Sequence, residues 1–302
     1  MKTIILSTIL GLLLMSGVSA QITLSDNMYR VYDGKGNPSD LTGVVKAMAA
    51  ADVVFLGEEH DDAVGHAIEF EVFKRALSEY GSRRRVALSM EMFERDVQIV
   101  LDEYLRGQIT EQHFLASSRP WGNYQTDYRP MVELAKEKKL DVIAANAPRR
   151  YVNMVSRNGR ESLNGLSKQA KAWLAPLPYN EPSAVYTKKF NDLMATSGDP
   201  SAANPHHPII YSQALWDATM ANSIAKYLKK NKGALDIHLN GGFHTEGRLG
   251  TVEQLMKYHP KTRAIVVTIR YEENFNTFDK SKHTGLGDFV ILTDAKQPRS
   301  KR

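Results

Sequence analysis

The chain has no cysteine. Disulfides, thiolate nucleophiles and a cysteine-based lipid anchor are therefore excluded together, and ordinary packing has to hold the fold. Past residue 20 no apolar run reaches the roughly 18 residues that a spanning helix requires, so no transmembrane segment is expected there. No long Arg/Lys tract is interleaved with aromatics, which argues against a nucleic-acid surface. Also missing are a serine elbow, the glycine pattern of a dinucleotide or phosphate loop, and the His-Glu-x-x-His signature of helical zinc proteases. There is no fixed-period repeat and no low-complexity tract.

The 302 residues are 42% hydrophobic and 24% charged, enough to bury a core of ordinary size in one large domain. A formal net charge of +5 favours anionic ligands without naming one. Met1 to Ala20 reads as a secretory signal, with Lys2 as its positive region, Ile4 to Met15 as its apolar core and Val18-Ser19-Ala20 as the cleavage site. The exported chain, periplasmic ahead of secreted, would begin near Gln21.

The rest is organised around Val53-Val54-Phe55-Leu56-Gly57-Glu58-Glu59-His60, where a β-branched and aromatic run stops at a glycine and releases ionisable side chains. Later runs end alike: Val86 to Met90 on Glu91, Val142 to Ala145 on Asn146, and Ile237 to Asn240 on Gly241-Gly242-Phe243-His244. Helical patterns separate them. This progression predicts an α/β fold, a central mostly parallel sheet with flanking helices and an inserted, mainly helical cap over about residues 152–230. The expected domain covers residues 21–295, with residues 296–302 as a free basic tail. The irregular stretch from Gly107 to Arg129, with Trp121 and Tyr124, is a candidate wall over the sheet edge or a satellite core.

Parallel strands would deliver Glu58, His60, Glu91, Asn146 and His244 to one edge. Glu58, His60, Glu91 and His244 are the candidate metal ligands, or the catalytic set if the protein is a hydrolase, because carboxylates and imidazoles hold a divalent metal or move a proton. The competing reading makes the two glutamates helix caps and each histidine a buried hydrogen-bonding group. Arg149 or Arg150 could meet a ligand carboxylate or phosphate, with Arg119, Arg129 and Arg248 as further anion contacts. His206 and His207 sit in a polar loop, and the aromatic hydroxyls of Tyr124, Tyr128 and Tyr151 are of the type that ligates ferric haem. His66, His113, His238, His259 and His283 are read as structural or exposed.

Taken together, Leu56-Gly57-Glu58-Glu59-His60, Glu91-Met92-Phe93-Glu94-Arg95, Asn146-Ala147-Pro148-Arg149 and Gly241-Gly242-Phe243-His244 resemble the ChaN-like haem-binding family, related to the TIKI, TraB and erythromycin-esterase-like superfamily. The resemblance runs from about Tyr29 to Leu292, and Gly57, Glu58, His60, Glu91 and His244 match the superfamily's site motifs. It implies an exported protein of haem or iron uptake. It also implies haem enclosed between two copies of the chain, tyrosine coordination to iron with Tyr124 and Tyr128 as candidates, and basic contacts such as Arg149 to the propionates. The absence of a cysteine after the signal departs from the lipoprotein form. Related branches include hydrolases, so a metal-dependent hydrolase is the alternative, and a non-catalytic periplasmic scaffold the third.

Overall fold

The computed structural model describes residues 22–196 and 209–301, so the signal segment and the His206-His207 loop lie outside the described residues. In chain order the strands are β1 (Tyr29–Asp33), β2 (Pro38–Ser39), β3 (Val53–Glu58), β4 (Val86–Glu94), β5 (Asp141–Asn146), β6 (Leu235–Gly241), β7 (Ala264–Glu272) and β8 (Phe289–Asp294). The helices up to β6 are α1 (Leu41–Ala47), α2 (Ala63–Tyr80), α3 (Gln98–Leu105), α4 (Glu111–Ser118), α5 (Arg129–Glu137), α6 (Arg149–Asn158), α7 (Lys168–Ala172), α8 (Ala184–Thr196) and α9 (Ile209–Lys230). Two more follow, α10 (Thr251–Tyr258) and α11 (Lys280–His283).

The strands form one sheet in the order β2-β1-β8-β7-β3-β6-β4-β5, with β8 through β5 mutually parallel and β1 and β2 antiparallel at one edge. The expected mixed α/β fold is therefore present, its parallel centre flanked by helices. β3 is buried along its whole length, which suits a run of β-branched and aromatic residues with no solvent face. Side chains alternate across the sheet. Val54 and Leu56 join the cluster of α1 and α2, while Val53 and Phe55 pack against Ala221, Ile224 and Leu228 of α9 and Val252 and Leu255 of α10.

The chain passes from β3 to β4 and β5, then returns to place β6 between β3 and β4. That reversal opens a crevice at the carboxyl ends of β3, β6 and β4, the usual ligand position in such sheets. Asp62 caps α2, its carboxylate accepting from the Val64 N–H at 3.1 Å, so only four residues separate the helix from the end of β3 and it stands beside the crevice.

Helices α6 to α9 occupy the region read as a cap, but α9 serves two layers. Ala214, Leu215 and Ala218 pack with α6 and α7, whereas its later turns lie on the sheet. Arg95, half-buried just past β4, donates to Leu174 O, Thr219 O and the Ser223 hydroxyl, and so ties the strand end to this helical layer. The tail also departs from expectation. Arg299 pairs with Asp61 and lies over the Tyr271 ring, and the Ser300 hydroxyl donates to Asp127 at 2.9 Å, so these residues are docked.

Because Phe55 is wholly buried between β3 and the α9–α10 layer, Phe55→Ala should cost about 3–5 kcal/mol, read as a lowered urea midpoint at unchanged slope. A loss below about 1 kcal/mol would show that this layer is not packed as described.

Candidate functional site

The crevice is a cleft of about 720 Å³ whose lining includes His60, Glu91, Trp121, Arg149, Trp216 and His244. Trp121 meets the His60 ring edge-on at 4.9 Å between centroids, and Trp216 meets His244 in the same manner at 6.4 Å. Asn146 and Ala147 at the end of β5 add to the floor, and Leu193 of α8 stands half exposed at the mouth.

Each cleft histidine is fixed through Nδ1. His60 donates to Glu58 Oε1 at 2.6 Å, and His244 donates to Asp217 Oδ1 at 2.8 Å, leaving Nε2 as the remaining ring nitrogen in both. His60 Nε2 lies beside Gly241, where a β-carbon would sit only 2.7 Å away, so glycine is required there for the imidazole to approach β6. Asp217 also accepts from the Thr251 hydroxyl at 2.8 Å and the Tyr186 hydroxyl at 2.5 Å. It is anchored on α9, and sequence reasoning missed it because nothing local to α9 marks one aspartate among its polar residues.

Glu91 accepts from the Gly241 N–H at 2.8 Å and has its other oxygen 3.7 Å from His244 Nε2. Burial raises the Glu91 carboxyl above the ordinary range, opposed by His244 and the Gly241 N–H. For His244 burial alone would favour the neutral ring, but Asp217 and Glu91 outweigh it and push its pKa up to about 9.

The predicted quartet does not form one coordination sphere. Glu58 shares the parity of Val54 and Leu56, whereas Glu91 follows Met90 and takes the opposite parity, so the two carboxylates leave on opposite faces of the sheet. Glu58 and His60 make one pair, and Glu91 and His244 the other. Among the described residues, the group of three or more His, Asp or Glu side chains whose donor atoms fall within 4.8 Å of one another is Glu58, His66 and Glu69. His66, read from sequence as structural or exposed, is buried beside Glu58 on the first turn of α2, with Glu69 one turn on. The His66-x-x-Glu69 spacing just after the Glu58 strand end was the available signal.

The tyrosines named with these residues stand apart from the cleft as well. Tyr124 packs edge-on against Phe93 and Phe114 in the core, and Tyr128 is buried with its hydroxyl donating to Glu58 Oε1 at 2.6 Å. Neither lines the cleft. Burial, reinforced by Glu58, holds the Tyr128 phenol well above its ordinary range, which disfavours the phenolate an iron would need. Of the arginines, Arg149 is exposed on the cleft rim at the start of α6. Arg150 pairs with Asp96, Arg129 with Glu111 and Arg248 with Asp288, while Arg119 lines the cleft already paired with Glu94 and Asp96.

The family model described as haem-binding uptake, Tiki superfamily, ChaN, matches residues 44–255. The chain belongs to this family. Its fold is similar to ChaN of Campylobacter jejuni, a structure of cofacial haem binding, at 17% identity and a TM-score of 0.67, over 89% of this chain and 98% of that one. A Bacillus cereus protein is similar at 12% identity and a TM-score of 0.52, over 87% and 94% of the two chains. A succinoglycan biosynthesis protein is similar at 11% identity and a TM-score of 0.51, over 87% and 93%. At these identities the likeness concerns fold alone. No curated protein matches the chain by sequence. Among the described residues no helix is long and apolar enough to cross a membrane.

The raised His244 value makes a signed prediction. A histidine whose folded pKa exceeds its unfolded value near 6.5 stabilises fully below that value and loses the contribution as pH rises through about 9. Thermal stability should therefore fall across this window in the wild type, and Asp217→Asn should flatten the fall and move the His244 ring titration downward by NMR. A titration left near pH 9 in Asp217→Asn would refute the role given to Asp217.

Proposed function

We propose that this is an exported haem-binding protein of a haem- or iron-acquisition system, with the porphyrin held in the cleft. The observation that supports the reading is the cleft lining, in which Trp121, Trp216 and Phe243 wall a floor of carboxylate-held imidazoles. A volume of about 720 Å³ falls within the range of small-molecule and cofactor sites. Haem, when bound, would supply an iron centre and its absorption spectrum.

His60 is the side chain suited to iron, because its Nδ1–H donates to Glu58 and leaves the Nε2 lone pair available. His244 is held protonated past neutral pH and suits a propionate, as does Arg149 on the rim. A second copy closing over the open side would complete the enclosure and make the loaded form a homodimer. The signal segment directs export, with the periplasm as destination.

A hydrolase remains the second reading, because an imidazole oriented by a carboxylate is also how a general base is held. With the quartet split between two faces, such an enzyme would rely on His60 and His244 as acid–base groups. Turnover of an ester panel abolished in both His60→Ala and His244→Ala would favour it.

Haem titration of residues 21–302 should give a saturable Soret change with a defined haem-to-protein ratio, read alongside mass in solution. His60→Ala should remove the ligation spectrum, and Arg149→Ala should weaken binding by about tenfold, as expected for one charge-assisted contact. No specific spectrum from folded protein in either the ferric or the ferrous state would sink the proposal. A spectrum lost in Tyr124→Phe or Tyr128→Phe but kept in His60→Ala would overturn the ligand assignment.

A further inference from the structure

Beneath the cleft, on the α2 face of the sheet, two buried carboxylates converge on a single imidazole nitrogen. His66 Nδ1 lies 3.3 Å from Glu58 Oε2 and 3.2 Å from Glu69 Oε2. The opposite nitrogen, Nε2, faces two acceptors, the His60 carbonyl at 3.2 Å and Asp127 Oδ2 at 3.5 Å. A carbonyl cannot donate, so Nε2 bears a proton, and the neutral ring then aims the Nδ1 lone pair at both carboxylates. That contact is repulsive unless something positive lies between them.

A proton on Nδ1 satisfies only part of the cluster. It reaches one oxygen, and Glu58 Oε2 and Glu69 Oε1 are both buried with no hydrogen-bond partner among the described residues. Glu58 and Glu69 are 3% and 0% exposed, so solvent does not supply the missing donors.

We propose that Glu58, His66 and Glu69 form a binding site for a divalent first-row transition metal, separate from whatever fills the cleft. Two ligands at about 2.1 Å from one metal, subtending about 90–109°, are about 3.0–3.4 Å apart, and both distances from Nδ1 fall in that interval. The mixed nitrogen and carboxylate set suits iron, manganese or zinc better than a set of oxygens alone. Two carboxylates, one neutral imidazole and one divalent ion sum to zero charge, which a buried site requires. Nε2–H on a backbone carbonyl is the outer contact that orients a metal-bound histidine. A separate cavity of about 300 Å³, lined by Ala63, His66, Asp127, Arg299 and Ser300, reaches the histidine of the cluster and offers an entry path. Since Glu58 Oε1 holds His60, the ion would also fix the carboxylate that orients the cleft histidine.

The test is equilibrium dialysis of the chelator-treated full chain against Mn²⁺, Zn²⁺ and, anaerobically, Fe²⁺, with elemental analysis. Wild type should retain one ion per chain. Glu69→Gln and His66→Gln should weaken retention by more than about 100-fold, beyond the roughly 10–100-fold of an outer-contact change, while His244→Gln leaves it unchanged. Anomalous diffraction from Mn²⁺- or Zn²⁺-loaded wild-type crystals locates the ion without relying on a variant that folds. No ion retained by wild type, an ion retained in Glu69→Gln but lost in His244→Gln, or anomalous density in the cleft would each overturn the proposal. Haem titration of the metal-free chain is read separately, so loss of one site does not decide the other.

Discussion

Glu58 ends the central strand with its carboxylate buried, and an unmatched carboxylate in that position would cost several kcal/mol. Its surroundings follow from that demand. The loop after β3 turns His60 back onto Oε1, the segment preceding α5 buries Tyr128 to donate to the same oxygen, and α2 brings His66 to the other side. Asn123 then holds both the His60 carbonyl and Asp127, binding the aromatic segment to the strand end. One side chain thus fixes the relative placement of the β3 loop, α2 and the wall that bears Trp121. Removing its charge would leave several donors unmatched at once, so the effects of changing these residues should not add.

The opposite face repeats the arrangement with different partners. Asp217 on α9 holds His244, Glu91 stands on its far side, and the two cleft imidazoles are reached from opposite faces of one sheet. Arg270 links the faces along the edge, pairing with Glu59 at 2.7 Å and Glu246 at 3.0 Å. Lys189 of α8 adds a cation at Glu246 and donates to the Phe243 carbonyl, so the helical layer is tied to the loop that presents His244. The cleft is therefore a seam between two separately anchored clusters, and its geometry depends on β3 and β6 staying in register from Val53 with Asp236 to Glu58 with Gly241.

Much of the fold was legible because local patterns and tertiary demands agree. The runs beginning at Val53, Val86, Leu235 and Ala264 became strands that extend a few residues past their apolar stretches, since main-chain pairing continues where side-chain hydrophobicity stops. The residues of the strand ends were likewise visible. Their grouping was not, although the period of two contained part of the answer: Glu58 and Glu91 stand one register position apart across β6, which sends them to opposite faces. Asp217 was out of reach for another reason. It lies more than a hundred residues from Glu91, and only the packing of α9 on the sheet brings it to His244. The tail misled through composition, since a basic stretch reads as free when Asp61 in fact pairs with Arg299 and Asp127 accepts from the Ser300 hydroxyl.

The two cleft histidines are not equivalent, and the difference bears on what the cleft can do. His60 faces one carboxylate through Nδ1 and is partly exposed, whereas His244 is buried between two and keeps its proton to about pH 9. A group protonated at neutral pH is neither a base nor a metal ligand. It is an acid or an anchor for an anion. Only His60 has a nitrogen free to accept, so a symmetrical reading of the site, with both imidazoles on one ion or both abstracting protons, conflicts with the charges around them. The ligand proposed for the cleft would accordingly offer an electrophilic centre to His60 and negative charge to His244 and Arg149, with flat apolar surface between them for Trp121 and Trp216 to cover.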